Sequence, residues 1–98
     1  MSNDTDQSWL RFIRLCKGAP SDDLLEELFE TFFTKEEKRC IQARYCIIRA
    51  LLENNLSQRE IAKTFQTSIA QITRGSHAMK GISQELRQFL LSFMDSTQ

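Results

Sequence analysis

Residues 57–80 have the sequence SQREIAKTFQTSIAQITRGSHAMK, and this stretch decides the fold. Ser57 and Glu60 have the spacing of a capping box, in which each side chain satisfies the other residue's unpaired backbone N–H at a helix start. The apolar pattern stops at residues 66–68 and resumes at Ile69. Two helices joined by so short a link cross rather than continue in line. The stretch therefore predicts a helix-turn-helix.

The second of these helices has two chemically different faces. Because residues advance by about 100° each along a helix, its inner face holds Ile69, Ile72, Ser76 and Met79. Its outer face holds Ala70, Thr73, Arg74 and His77. Short polar side chains and one strong cation suit the major groove of DNA, where they can meet base edges and phosphates. A solvated helical hairpin would have the same spacing, so this interpretation also stays open.

Gly75 lies in the interior of that second helix. A glycine there costs about 1 kcal/mol relative to alanine. We therefore expect another part of the molecule to approach its backbone closely.

Charge is distributed unevenly along a chain whose formal net charge is zero. Residues 1–33 carry three Lys or Arg against seven Asp or Glu, and residues 57–80 carry four against one. Positive charge thus gathers where a phosphate-facing surface needs it. Zero net charge argues against a protein that coats nucleic acid or membrane indiscriminately.

The three cysteines, Cys16, Cys40 and Cys46, are odd in number and form no C-x-x-C pair. They therefore indicate neither a disulfide framework nor a zinc site, and we expect reduced thiols in a cytoplasmic protein without a bound metal. One histidine, no nucleophile beside a base and no glycine-rich phosphate loop argue against an enzyme. No apolar run has membrane-spanning length, so no membrane partner is expected.

The other segments also predict helices, so the fold class is all-α. Ser21 is a good N-cap for one helix, and Thr34 with Glu37 repeats the capping-box spacing for a longer one. In that longer helix, apolar residues cover an arc of about 220° at 100° per residue. A 98-residue monomer has little left to cover so wide an arc, which predicts an interdigitated homodimer.

Arg44 lies inside this apolar arc. A guanidinium there needs an anion or a carbonyl cluster as a partner. Snorkelling to the edge of the arc and an intersubunit ion pair are alternatives to a ligand site.

The chain resembles the Trp repressor family in several segments. WLRFI lies near the start, and SQRE, IAQITRGS and ELRQFL follow in that order. The resemblance covers nearly the whole chain and is densest from Thr34 to Leu90. It implies an all-helical, six-helix subunit intertwined with its twin as a homodimer. In that architecture residues 1–98 form one domain, with dimerisation helices over 8–56, the DNA-binding helix-turn-helix over 57–80 and a C-terminal helix over 83–94.

The resemblance also implies a function, which is repression of bacterial transcription. Such a repressor binds double-stranded operator DNA when L-tryptophan is bound as corepressor, and controls genes for tryptophan biosynthesis or salvage. L-Tryptophan is then a ligand, and no cofactor is implied. Two alternatives differ from this hypothesis: an operator-binding dimer with another or no small-molecule effector, and a helical interaction module whose helix-turn-helix is incidental.

The resemblance assigns residues to the tryptophan site. Arg44 and Arg74 would sandwich the indole, Thr34 would lie near the ligand carboxylate, and the carbonyls of Thr31 and Phe33 would accept from the amine. Gly75 and Ala78 complete the predicted site. Ala78 replaces a serine of the family, which removes a hydrogen bond of about 0.5 to 1.5 kcal/mol net, and Gln71 replaces a smaller threonine.

The resemblance also assigns residues to DNA contacts with phosphates or base edges, some through water. Lys63 enters this set as the replacement for a phosphate-binding lysine that the family has where this chain has Ala62. The predicted DNA-binding residues are Gln58, Arg59, Lys63, Ile69, Ala70, Thr73, Arg74, Gly75 and Ser76.

Overall fold

The computed structural model describes residues 4–96, and these are helical apart from short links. The helices are α1 (Asp4–Lys17), α2 (Asp22–Phe32), α3 (Lys35–Glu53), α4 (Gln58–Thr64), α5 (Ile69–Lys80) and α6 (Gln84–Ser96). No strand occurs within residues 4–96. The predicted all-α class with six helices is therefore confirmed.

The described residues fall into two compact units, and the division lies within α3, between Lys38 and Arg39. In the first unit, aromatic side chains connect α1 and α2. The ring centroid of Phe12 lies 5.1 Å from that of Phe32 and 5.9 Å from that of Phe33. Burial in this unit is nevertheless shallow, because α2 contains no buried residue.

Local capping explains where the helices of the first unit begin. The Ser21 hydroxyl accepts a hydrogen bond from the Leu24 N–H at 3.2 Å. The Thr34 N–H donates to the Glu37 carboxylate at 2.9 Å, and the Glu37 N–H donates to the Thr34 hydroxyl at 3.1 Å. Both predicted helix starts are confirmed, and each satisfies backbone donors that a helix start leaves unpaired.

The second unit contains the hydrophobic core, which joins α3, α4 and α5. Ile47 and Ala50 of α3, Ile61 of α4 and Ile72 of α5 are buried together. Leu51, Leu56 and Ala62 pack against this cluster. The core thus fixes the short α4 and the longer α5 on the second half of α3.

The predicted helix-turn-helix is present as α4 and α5. Ser57 and Glu60 form the capping box, with the Ser57 N–H donating to the Glu60 carboxylate at 2.9 Å. Gln66 has φ of 52°, and the Thr67 N–H donates to the Ala62 carbonyl at 3.0 Å. A left-handed residue followed by this bond is the usual way in which a helix stops and the chain turns.

Ser68 then caps the start of α5, because its hydroxyl accepts from the Gln71 N–H at 3.2 Å. On α5 itself, Ile72 and Met79 are buried, Ser76 is half-buried, and Ala70, Thr73, Arg74 and His77 are exposed, as predicted. The placement of Ile69 on the inner face was wrong, since its side chain is 50% exposed. Ile69 is the first residue of α5 and lies almost one turn before Ile72, the first residue of α5 that joins the core.

Candidate DNA and ligand interface

Gly75 brings the backbone of α5 directly against α3. A Cβ atom added to Gly75 would lie 2.8 Å from Cγ2 of Ile47 and 3.9 Å from Cδ of Arg44. The expected close approach to this glycine is therefore confirmed. Arg74 is the neighbour of Gly75 in sequence, so the two predicted indole-binding arginines lie on helices that pack together at this point.

Arg44 is half-buried and lines an open, mostly apolar pocket of about 380 Å³ between α3 and α6. Arg74 is exposed and does not line this pocket. Within residues 4–96, neither guanidinium has a side-chain hydrogen bond or an ion pair. Both groups can therefore engage a ligand without first breaking an internal bond. The other residues that line the pocket are Cys40, Ile41, Tyr45, Ile48, Leu90 and Met94.

Three predicted ligand residues, Thr31, Phe33 and Thr34, belong to the first unit, around the end of α2. The Thr34 hydroxyl accepts from the Glu37 N–H, so its own O–H remains available to donate to a carboxylate. The backbone carbonyls of Thr31 and Phe33 accept no hydrogen bond from the described part of the chain. These three residues thus keep the polar groups that the predicted roles require.

Two of the residues that depart from the family pattern, Gln71 and Ala78, lie on α5. Gln71 is half-buried and Ala78 is exposed. Ala78 offers a ligand amine no side-chain hydrogen bond, whereas Gln71 adds a side-chain amide that both donates and accepts. The chain therefore differs in both the size and the polarity of the predicted site.

Most predicted DNA-binding side chains lie on the solvent side of the helix-turn-helix. Those of Gln58, Arg59 and Lys63 on α4, and of Ile69, Ala70, Thr73 and Arg74 on α5, are exposed, and Ser76 is half-buried. Gly75 does not share this surface, because it is buried against Ile47. Its placement supports a packing role rather than a direct contact with a base.

A polar pocket of about 230 Å³ lies beside α5. Of the residues that line it, only Ser76 was among the predicted site residues. Leu51 and Met79 form its apolar part, and Lys80 and Arg87 bring two cations into its lining. Neither cation is among the site residues predicted from the sequence. The signal in the sequence was Arg87, which is the single Lys or Arg of residues 81–98.

A comparison with protein families matches residues 7–93 of the chain to the Trp repressor protein model. The chain belongs to the Trp repressor family. Several similar proteins carry the name Trp operon repressor homolog. The one from Chlamydia trachomatis serovar D is 44% identical over 90 residues, which cover 92% of this chain and 96% of the relative.

Two further relatives with this name are more distant. That of Chlamydia caviae is 39% identical over 85 residues, which cover 87% of this chain and 84% of the relative. That of Haemophilus influenzae strain PittEE is 29% identical over 89 residues, which cover 91% and 88%. In this Trp repressor family member, none of the helices within residues 4–96 has the length and apolar character needed to cross a membrane.

Proposed function

We propose that the protein is a transcriptional repressor that binds operator DNA as a homodimer when L-tryptophan is bound. One observation carries this proposal: α5 exposes a small, polar outer face while its backbone at Gly75 packs on Ile47 of α3, with Cδ of Arg44 only 3.9 Å from where a Cβ would lie. A ligand held by Arg44 would therefore act close to the helix that reads DNA. Membership of the Trp repressor family supports the same function.

The proposed ligand site uses the shape and charge of L-tryptophan. Planar guanidinium groups stack on aromatic faces and bind carboxylates, so Arg44 and Arg74 suit an indole ring that carries an amino acid group. Thr34, with its free O–H, is the proposed donor to the ligand carboxylate. Thr31 and Phe33 keep their predicted roles as carbonyl acceptors for the ligand amine, and Gly75 brings the α5 backbone close to Arg44.

Binding of the ligand regulates DNA affinity only if it favours one orientation of α5 over others. Arg74 lies on α5, so a ligand stacked against Arg74 has different contacts in each orientation of that helix. If the ligand binds the DNA-competent orientation of α5 ten times more tightly than the others, the difference in binding free energy is about 1.4 kcal/mol. The stacking energy of one cation–π contact, about 0.5 to 2 kcal/mol, is of this size.

The proposed DNA contacts divide by helix. Gln58, Arg59 and Lys63 on α4 are proposed to contact phosphates and the edge of the groove, which fixes the position of the protein on DNA. Ala70 and Thr73 on α5 are small enough to allow close approach, with a methyl group and a hydroxyl for base edges. In this proposal the α5 residues determine which DNA sequence is bound, and the cations Arg59 and Lys63 supply much of the affinity.

The homodimer is proposed from the apolar surface that a single chain exposes. Ile41 is 54% exposed and Tyr45 is 40% exposed on α3, and Phe89 is 60% exposed on α6. Large apolar side chains at such exposure are favourable to bury, at about 25 cal/mol per Å². A second copy would cover them and place two copies of α5 on one duplex.

The experiment that tests this function measures DNA binding with and without L-tryptophan. A randomised duplex library is selected on the purified protein with L-tryptophan present, and the affinity for the recovered duplex is then measured at one salt concentration. We expect affinity to increase with added L-tryptophan. Identical affinities with and without it would refute the corepressor role, and failure to recover any duplex would refute operator binding.

Two matched variants separate the ligand from the DNA contacts. Arg74→Ala should lose the response to L-tryptophan together with most DNA affinity, because Arg74 is proposed to serve both. Arg59→Ala should weaken DNA binding alone and leave calorimetric binding of L-tryptophan unchanged. Unchanged tryptophan binding in Arg74→Ala would contradict the assignment of that residue.

A second candidate function keeps the operator-binding dimer and changes the effector. It is favoured by Gln71 and Ala78, which alter the size and the hydrogen-bonding groups of the predicted site. Calorimetry with L-tryptophan, indole and indole analogues distinguishes the two, because the effector that binds tightest should also be the one that tightens DNA binding.

A further inference from the structure

The polar pocket beside α5 combines two cations with one hydroxyl. Lys80 from the end of α5, Arg87 from α6 and Ser76 line it together with Leu51 and Met79. None of the described residues that line this pocket carries a carboxylate. Within residues 4–96, Ser76, Lys80 and Arg87 form no side-chain hydrogen bond or ion pair with another residue. All three therefore keep side-chain donors for a group that enters the pocket.

This chemistry selects for an oxyanion. Two cations that line one small pocket repel each other, and an anion between them removes that cost. Arg87 presents a planar fork of N–H donors that suits phosphate oxygens, and Lys80 adds a point charge. The volume, about 230 Å³, equals that of several waters at about 30 Å³ each. A phosphate group therefore fits.

The position of the pocket connects it with DNA. Lys80 lies seven residues after Thr73, which is about 10 Å along a helix axis at 1.5 Å per residue. The major groove is about 12 Å wide, so a helix that places residues 70–74 in the groove has its following turns near the groove edge. The sugar–phosphate backbone runs along that edge.

We propose that Ser76, Lys80 and Arg87 bind a backbone phosphate of the DNA, as a contact additional to those of the helix-turn-helix. Arg87 is the distinctive part of this contact, because it lies on α6, outside α4 and α5. This inference rests on the proposed function, since it requires that α5 lies on DNA. The contact carries no sequence information, because it involves phosphate oxygens only.

The test is the salt dependence of DNA binding, measured with the full chain and the duplex recovered by selection with L-tryptophan. Each phosphate contact contributes about 0.9 to the slope of log K against log salt. Arg87→Gln removes one of the two cations that face this phosphate in each subunit, so we expect a shallower slope, with complete loss of the contact in a dimer corresponding to about 1.8. The loss should be the same on a scrambled duplex. Arg87→Lys should restore most of the slope.

The matched control is Arg14→Gln, which removes the same charge from an exposed position on α1. It should keep the wild-type slope. A wild-type slope in Arg87→Gln would overturn the inference, provided that the variant melts and binds L-tryptophan as the wild type does.

A second variant covers the case in which Arg87→Gln does not fold. Lys80→Gln changes an exposed side chain and should also give a shallower slope, whereas an unchanged slope in Lys80→Gln would then overturn the inference. Wild-type protein that binds no duplex would instead refute the proposed function, so the two failures are distinguishable.

Discussion

At the scale of single residues, Gly75 has the clearest physical constraint. Its missing Cβ is the reason that α5 can lie on Ile47, since an added Cβ would be 2.8 Å from Cγ2 of that side chain. Cγ2 is attached directly to the Cβ of a β-branched residue and cannot swing away as the end of a long side chain could. Either the helix or Ile47 must move to admit a methyl group.

Gly75→Ala should therefore destabilise the protein, although alanine is the better helix former. Forcing a methyl group into a packed core costs about 1 to 3 kcal/mol, against a gain of about 1 kcal/mol in helix propensity. We expect a net loss in the free energy of unfolding, measured by urea denaturation. The matched control is Gly81→Ala, because an added Cβ there meets no atom within 4 Å. Equal stabilities of the two variants would contradict the packing argument.

At the scale of secondary structure elements, the capping box of α4 makes the stability of the start of the helix-turn-helix depend on pH. Hydrogen bonds from the Ser57 backbone and side chain lower the pKa of the Glu60 carboxyl. A depressed folded-state pKa contributes stability above the unfolded pKa, about 4.3 for Glu, and this contribution is lost as pH falls through the folded pKa. The start of α4 should thus weaken in acid.

Glu60→Gln tests this relation, because glutamine can still accept the hydrogen bond from Ser57 but does not titrate. Above pH 5 the wild type should be the more stable protein, and the difference should vanish as pH falls through the folded pKa of Glu60. Urea denaturation over a pH series measures it. Glu85→Gln, in the first turn of α6, is the control for the loss of one charge. A stability difference that is independent of pH would contradict the assignment.

The elements also show what could be predicted from the sequence. The capping pairs Ser57 with Glu60 and Thr34 with Glu37 are local, and their spacing alone predicted both hydrogen-bonded helix starts. Ile69 was placed wrongly because helical periodicity gives the direction of a side chain but not the distance to which the core extends. The pocket of Lys80 and Arg87 was missed because residues of three helices line it, and no local spacing reveals how those helices pack.

In the candidate site too, features that depend on neighbouring residues could be predicted from the sequence, and contacts between distant residues could not. Gly75 was recognised from its unfavourable position in a helix, and the contact with α3 explains it. The pairing of Arg44 with Arg74 came from the resemblance to the Trp repressor family, because 29 intervening residues separate them in the sequence. Their joint action on one ligand stays a prediction.

At the scale of the whole molecule, α3 carries more apolar side chains than a single chain buries. Ile47 and Ala50 are buried in the core, whereas Ile41 and Tyr45 of the same helix remain 54% and 40% exposed. A monomer would keep these side chains in water. In the proposed homodimer they lie in the interface, so a charge introduced there should oppose association.

Ile41→Glu tests that expectation, because a buried carboxylate without a partner costs several kcal/mol and the dimer contains two of them. We expect the dissociation constant of the dimer, measured by sedimentation equilibrium, to rise at least about a hundredfold, or about 2.7 kcal/mol. Gln42→Glu is the control, since it adds the same charge to the next residue of α3, an exposed polar position. If Ile41→Glu and the wild type dissociate equally, α3 does not form the interface, and two copies of α5 lack the connection that repression requires.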